Sequence, residues 1–166
     1  MNRFGLLLTI TEPPPQHEAE FNAWYDTEHI VERVSIPGFL SARRWLADVK
    51  PGEGKYLATY ELDSPVVLAS TGYLSRFESQ SPWSRRCLGK AVVFRRWACE
   101  QLDPGRADAH PGATAIVFAT EDLSLPATLQ KRRFAASSGE TIFLHELSER
   151  RVALPAAARL YRAYDA

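Results

Sequence analysis

The hydrophobic and polar positions of the first hundred residues alternate between strand-like and helix-like periods. The run "RFGLLLTI" is almost continuously apolar and ends at three prolines (13–15), which predicts a first strand buried on both faces. No Gly or Pro interrupts residues 17–35, and "IPGF" then stops the predicted helix and turns the chain. The alternating segments "FLSARRWLAD" and "KYLATYELD" are joined by "VKPGEG", which predicts a hairpin of the second and third strands.

A second helix and a fourth strand follow the hairpin. Ser64 with Pro65, and Ser81 with Pro82, each place an N-cap residue before a proline at the first helical position. The segment "AVVFRRWACEQL" then has the composition of a strand. The order β-α-β-β-α-β within about 100 residues predicts an α+β fold, the ferredoxin-like α/β-plait.

The last third of the chain indicates a degenerate repeat of the first part. After the linker "DPGRADAHPGA" come three strand-like segments and the helix-like "LPAAARLYRAYD", in the order β-β-β-α. Residues 43–45 (Arg-Arg-Trp) align with residues 132–134 (Arg-Arg-Phe), and "YELDS" aligns with "HELSE". We therefore predict a unit of residues 1–102 and a second half of residues 112–166, which lacks the first helix and the fourth strand, packed together.

An apolar first strand also raises the question of what covers its second face. The helices can cover only one face of the sheet, so the other face needs the second half of the chain, another copy of the chain, or both. We expect at least a homodimer.

Composition narrows the function classes. The 166 residues carry 20 Lys and Arg against 20 Asp and Glu, and a formal charge of zero removes the usual signature of nucleic-acid or anionic-membrane binding. Cys87 and Cys99 lack a metal-ligand spacing, and we predict no metal and no cofactor. No apolar segment approaches the roughly 18 residues of a membrane span, so a cytoplasmic protein with a small-molecule ligand is expected.

The predicted helix of residues 17–35 carries the candidate chemistry. At about 100° per residue, one face about 60° wide is polar as well as aromatic. It comprises Phe21, Tyr25, Glu28 and Glu32, with Trp24 and His29 on its flanks. Because buried carboxylates must be paired or protonated, a polar group should oppose this face. The sheet offers Arg43 or Arg44 on the second strand and Tyr60 on the third.

Two interpretations of this face are open. In the structural one, Glu28 and Glu32 pair with Arg43 or Arg44. In the functional one, a cleft between helix and sheet holds His29, Tyr25 and Glu28 as catalytic groups. The substrate would then be bound by Trp24, Glu32, Arg43 and Tyr60. A working His29 should titrate near its reference value of about 6.5, or somewhat higher beside a carboxylate.

The run "FNAWYDTEHIVERVSIPGFLSARRW", between an apolar strand and a hairpin, resembles the dimeric α+β barrel superfamily and most closely its EthD-like members. The resemblance covers residues 1 to about 101 and implies a site between sheet and helices, with His29 or Tyr25 as acid-base. Superfamily members include polyketide cyclases, dehydratases, lactone isomerases and quinone-forming monooxygenases. A typical member is one unit that dimerises through its sheet, whereas the rest of this chain could supply part of the second unit.

The residues and the resemblance together suggest a small cofactor-independent enzyme, a cyclase, dehydratase or isomerase, acting on an aromatic or polyketide-like carbonyl compound. Two alternatives remain: a non-catalytic ligand-binding or interaction protein, and a cofactor-free monooxygenase.

Overall fold

The computed structural model describes residues 3–165, which contain eight strands, with short helices between the first and second strands and between the third and fourth. The strands are β1 (Gly5–Glu12), β2 (Phe39–Leu46), β3 (Tyr56–Leu62), β4 (Val93–Gln101), β5 (Ala115–Ala119), β6 (Thr128–Ala136), β7 (Thr141–Leu147) and β8 (Arg159–Ala163). The helices are α1 (Glu18–Trp24), a π-helical turn (Tyr25–His29), α2 (Ile30–Val34), α3 (Thr71–Glu78) and α4 (Pro82–Lys90), with 3₁₀ turns at Pro15–His17 and Pro65–Ala69. The predicted α+β fold class is confirmed.

The eight strands form one closed barrel with the order β1-β3-β2-β8-β5-β7-β6-β4, in which β4 returns to pair with β1. All of the neighbouring pairs are antiparallel. Closure removes the free sheet edges that would otherwise present unpaired backbone groups.

The two halves of the barrel have the same strand order. The first half runs β4-β1-β3-β2 and the second half runs β8-β5-β7-β6, so β8 holds the place in the second half that β4 holds in the first. The prediction of a helix in "LPAAARLYRAYD" is therefore wrong: residues 159–163 form a strand, and the second half is β-β-β-β rather than β-β-β-α. Up to residue 165, where the described part ends, the second half contains its fourth strand but neither of the two helical segments.

Barrel closure explains why this segment is a strand. Without β8, backbone N–H and C=O groups of β2 and β5 would lack partners, which is costly in a buried position. The gain from satisfying both strands outweighs the helix propensity of an Ala-, Leu- and Arg-rich stretch, which is a weak preference.

Strand β1 is buried at all eight positions, as its apolar sequence predicts. Leu6 and Leu8 point into the barrel, where they pack in a cluster that also holds Trp45 and Phe134, whereas Leu7 points outward to the helices. The second half of the same chain thus covers the inner face of β1.

The outer faces of the two halves are covered differently. The helices pack on the outer face of the first half. On the second half, Ala115, Val117 and Leu147 are covered by loop residues such as Leu125 and Val152. In the part of the chain that the structure describes, no helix is long and apolar enough to cross a membrane.

A buried ion-pair network joins the two halves inside the barrel. Arg132 of β6 contacts Glu61 of β3 at 2.7 Å and Glu146 of β7 at 3.0 Å, and all three side chains are at most 3% exposed. Glu61 and Glu146 occupy the aligned "YEL" and "HEL" positions of the repeat. One guanidinium faces two carboxyls, and burial raises the pKa of Glu146 to about 7.

Candidate functional site

The π-helical turn determines which side chains of the first helical region face the sheet. The Ile30 N–H donates to the Tyr25 carbonyl, a bond across five residues that widens the turn. Residues four apart therefore stay in line, and Phe21, Tyr25, His29 and Arg33 form one buried row, beside which Trp24 is also buried. The predicted face with Glu28 and Glu32 is wrong because it assumed a regular α-helix throughout.

A cavity of about 90 Å³ lies between this helical face, the outer side of the sheet and α3. Its wall is largely apolar and aromatic, with a few polar groups. The side chains that contribute polar groups are Thr9, Thr11, Tyr25, His29, Arg33, Tyr60, Tyr73, Gln80 and Arg96. Phe77 and Phe94 also line the cavity and are about half exposed, so they mark the side on which it reaches the surface.

His29 lies in the wall of the cavity and is 8% exposed. Its ring packs against Trp24 with a centroid distance of 4.6 Å and meets the edge of Tyr25 at 4.8 Å. No residue in the described range 3–165 makes a side-chain hydrogen bond or ion pair with it. Burial, and then the positive charges of Arg33 and Arg44, lower the pKa of His29 to about 3. The imidazole is therefore neutral at pH 7, and the expectation that it titrates near 6.5 or above is wrong.

A short chain of hydroxyl groups lies beside the histidine. The Tyr25 and Tyr60 hydroxyls are 2.7 Å apart, and the Thr9 hydroxyl is 3.4 Å from that of Tyr25. Burial is the main cause that raises the pKa of Tyr60 well above its ordinary value. Tyr60 thus stays protonated and can act as a hydrogen-bond donor. The structure brings together three of the predicted site residues: His29, Tyr25 and Tyr60.

Arg33 also lines the cavity, although it is not among the site residues predicted from the sequence. It is 5% exposed, and its guanidinium makes no hydrogen bond to another residue of the described chain; Nη1 is both buried and without a partner. Its guanidinium lies 5.5 Å from the centre of the Tyr73 ring and 5.9 Å from that of Phe77.

Glu28 faces α4 instead of the cavity. Its Oε2 atom accepts hydrogen bonds from Trp24 Nε1 at 3.0 Å, from the Ser81 hydroxyl at 2.7 Å and from the Ser84 hydroxyl at 3.2 Å. The carboxylate therefore ties α4 to the first helical region, and the structure does not bring it to His29 as the predicted catalytic partner.

The other predicted binding residues are also elsewhere. Trp24 is fully buried and supports the far side of the His29 ring. Glu32 lies 3.6 Å from Arg76, at the surface. Arg43 is on the opposite face of β2, where its guanidinium stacks 4.3 Å from the Trp45 ring centre. Strand alternation places Arg43 and Trp45 on one side and Arg44 on the other, so Arg43 cannot reach the helices.

The helix-to-sheet ion pair that the sequence suggests is present, but with a different carboxylate. Arg44 donates to Asp26 at 2.7 Å and to Asn22 at 2.7 Å, and its side chain is 3% exposed. Its guanidinium also lies 4.3 Å from the ring centres of both Tyr25 and Tyr164. The bridge fixes the helical region on the sheet while leaving Glu28 and Glu32 free for other contacts.

The sequence carried one signal for the missed wall residues. Arg33 continues the four-residue spacing of Tyr25 and His29, which a π-helical turn would preserve. Tyr73, Phe77 and Arg96 come from α3 and β4, and only the folded arrangement brings them to the same cavity. Within residues 3–165, no group of three or more His, Cys, Asp or Glu side chains could hold a metal ion.

Solved structures of other proteins share the fold of this chain. A crystal structure of an anthrone oxidase-like protein aligns over 99% of this chain and 92% of its own, with a TM-score of 0.61 and 11% identity. A mutant chlorite dismutase from Candidatus Nitrospira defluvii aligns over 99% and 93%, with a TM-score of 0.59 and 10% identity. The chain has the dimeric α+β barrel fold.

The sequence alignment with a known protein covers a smaller part of the chain than the structural alignments do. The core atranone cluster protein 1 of Stachybotrys chlorohalonatus (strain IBT 40285) is 35% identical over 81 residues, which are 47% of this chain and 34% of that protein. The chain thus spans about a third of the length of this curated relative. No family model matches the sequence.

Proposed function

We propose that this protein is an EthD-like, cofactor-independent enzyme of secondary metabolism that enolises an aromatic or polyketide-like carbonyl compound, as cyclases, dehydratases and isomerases do. The observation that carries the proposal is the neutral, unbonded His29 in the wall of a cavity that also holds the Tyr25–Tyr60 hydroxyl pair. Two names support the substrate class: the relative belongs to an atranone cluster, and a structural neighbour is called anthrone oxidase-like.

The residues divide the work of enolisation between them. A ring nitrogen of His29 takes the proton from the carbon next to the substrate carbonyl. The electron pair of the broken C–H bond forms a C=C bond to the carbonyl carbon, and the π electron pair of the C=O bond moves onto the oxygen. A hydroxyl of the Tyr25–Tyr60 pair donates a hydrogen bond to that oxygen as its negative charge grows. The new negative charge beside the imidazole raises the pKa of His29 from its low resting value, so the base strengthens as the reaction proceeds. The proton then returns to the product at another atom.

Hydrogen–deuterium exchange at the carbon next to the carbonyl of acetophenone tests this step. Wild-type protein should speed the exchange, and His29→Ala should lower the added rate about 10²- to 10⁴-fold, the usual contribution of a general base. His17→Ala is the control, because His17 lies outside the cavity. No acceleration by the wild type would favour a non-catalytic ligand-binding protein, and an acceleration that His29→Ala retains in full would exclude His29 as the base.

The anthrone oxidase-like neighbour favours a second candidate, a cofactor-free monooxygenase. The same proton removal would give an electron-rich carbanion that reacts with O₂. Oxygen consumption with an anthrone substrate would separate this candidate from the cyclase, dehydratase and isomerase reactions, which consume none.

A further inference from the structure

Arg33 brings an uncompensated positive charge to the cavity. Arginine stays protonated at every accessible pH, and a buried charge normally has a charged or hydrogen-bonded partner. Within the described chain, the Arg33 guanidinium has neither a charged nor a hydrogen-bonded partner, and the residue is only 5% exposed. Ring contacts with Tyr73 and Phe77 offset only part of that cost, because a cation–π contact is weaker than pairing with a carboxylate and provides no hydrogen-bond acceptor for the N–H groups.

Nearby carboxylates do not balance this charge. The residues that line the cavity include Arg33 and Arg96 but no Asp or Glu. Asp26 is paired with Arg44, Glu32 with Arg76, and Glu28 with the serines of α4. His29 adds no negative charge, because burial and then the charges of Arg33 and Arg44 lower the pKa of its imidazole and keep it neutral.

The missing partner is therefore expected from outside the protein. We propose that the cavity binds an aromatic ligand through a negatively charged oxygen, a carboxylate or a phenolate, which pairs with the Arg33 guanidinium. The half-exposed rings of Phe77 and Phe94 at the cavity opening would hold the flat apolar part of the ligand. The proposal deepens the proposed function, because it gives the substrate of the same cavity a charge.

Two pairs of small aromatic probes test the proposal. Within each pair the shape is similar and the charge differs, and the two pairs distinguish a carboxylate from a phenolate. Benzoate is compared with benzamide, and 4-nitrophenolate with nitrobenzene, by NMR titration of the folded protein. The anion should bind at least tenfold more tightly than its neutral counterpart in at least one pair, and the pair that responds identifies the acid. Bound 4-nitrophenol should also keep its yellow, ionised form at lower pH than the free compound.

Variants assign the preference to Arg33. Arg33→Met should reduce anion affinity about 10- to 100-fold, as loss of a charged hydrogen-bond partner does, without lowering the melting temperature. Arg33→Lys should keep a weaker preference for the anion. Arg162→Met, which removes an arginine of β8 outside the cavity, should change neither the anion affinity nor the melting temperature.

The outcomes are decisive in both directions. Equal binding of anion and neutral probe, a preference that survives Arg33→Met, or no binding of any probe would overturn the anion site. Deuterium exchange that depends on His29 would still support the proposed enzyme in those cases. Conversely, an anion preference lost in Arg33→Met, without any exchange, would leave the anion site standing and remove the enzymatic step.

Discussion

His29 illustrates how tertiary packing reverses what a residue type suggests. A histidine between carboxylates in the sequence favours a pKa at or above 6.5, yet Asp26 and Glu28 turn to Arg44 and α4, and arginines remain as the charges near the ring. The residue could be selected from sequence because His, Tyr and Glu cluster there. Its charge state could not, because it depends first on burial by the fold and then on Arg33 and on Arg44, which comes from another element.

The low pKa of His29 makes a prediction about stability. A histidine whose folded-state pKa lies below its unfolded value destabilises the fold as the pH drops, because the unfolded chain takes up the proton first. Between about pH 6.5 and 3, wild type should lose about 1.4 kcal/mol of unfolding free energy per pH unit relative to His29→Gln. Urea unfolding of both proteins at about pH 7 and about pH 4.5 measures this difference.

A matched control uses another histidine of the same region. His17→Gln should follow the wild-type pH dependence, because the side chain of His17 is 35% exposed. If the unfolding free energy of His29→Gln changed with pH in the same way as that of the wild type between about pH 7 and about pH 4.5, the assignment of His29 as buried and neutral would be contradicted.

At the scale of elements, most of the strands could be predicted from alternation and from turn residues, and the repeat gave the correspondence between β2 and β6. Two elements could not. The π-helical turn depends on which residues the sheet accepts, since Phe21, Tyr25, His29 and Arg33 can share one line only if a turn is widened. The strand β8 has a helix-like composition, and its conformation follows from the two strands it joins.

The anchoring of α4 by Glu28 gives a prediction at this scale. Glu28→Ala removes the acceptor of three side-chain hydrogen bonds and exposes a void between α4 and the first helical region. The unfolding free energy should drop by about 1.5–3 kcal/mol, the usual range for bonds to a charged group. Chemical unfolding measures the loss, and Glu121→Ala, at an exposed loop position, is the control.

The role of Glu28 separates the two interpretations of its sequence position. A structural role predicts a less stable protein whose acetophenone exchange rate is retained under conditions in which it is folded. A large loss of exchange in fully folded Glu28→Ala would instead restore Glu28 as a catalytic residue.

For the whole molecule, the network of Arg132, Glu61 and Glu146 predicts a second pH effect, with the opposite sign. A carboxyl whose folded-state pKa is raised holds its proton more tightly when folded, so its contribution to stability is lost as the pH rises from about 4.5 to about 7. Glu146→Gln should therefore gain stability relative to wild type over this range, by about 1.4 kcal/mol per pH unit at most.

Denaturant unfolding at about pH 5 and about pH 8 measures the gain. Glu121→Gln, with an exposed carboxyl, should show none. A Glu146→Gln variant whose stability relative to wild type decreases toward high pH would indicate that the carboxylate is ionised and firmly paired.

Self-association is the other prediction at this scale. A homodimer remains our expectation, but the barrel formed by the described residues is closed within one chain and has no free strand edge, so contact would have to use an outer surface. Light scattering at micromolar concentration should give twice the chain mass of 18.6 kDa. A single-chain mass would contradict the prediction and leave the second half as the full substitute for a partner.

In the described residues, helices cover only the first half of the barrel, and this asymmetry has a consequence for stoichiometry and for evolution. A barrel assembled from two identical chains must carry every feature twice, because symmetry copies each substitution into both sides. Here the chain links two halves that are free to diverge, so one side can keep the helices and the histidine cavity while the other reduces to strands and covering loops. We therefore expect one bound ligand per barrel. Mutations on the loop-covered side should change the stability of the protein but leave the affinity of the cavity for its ligand unaltered.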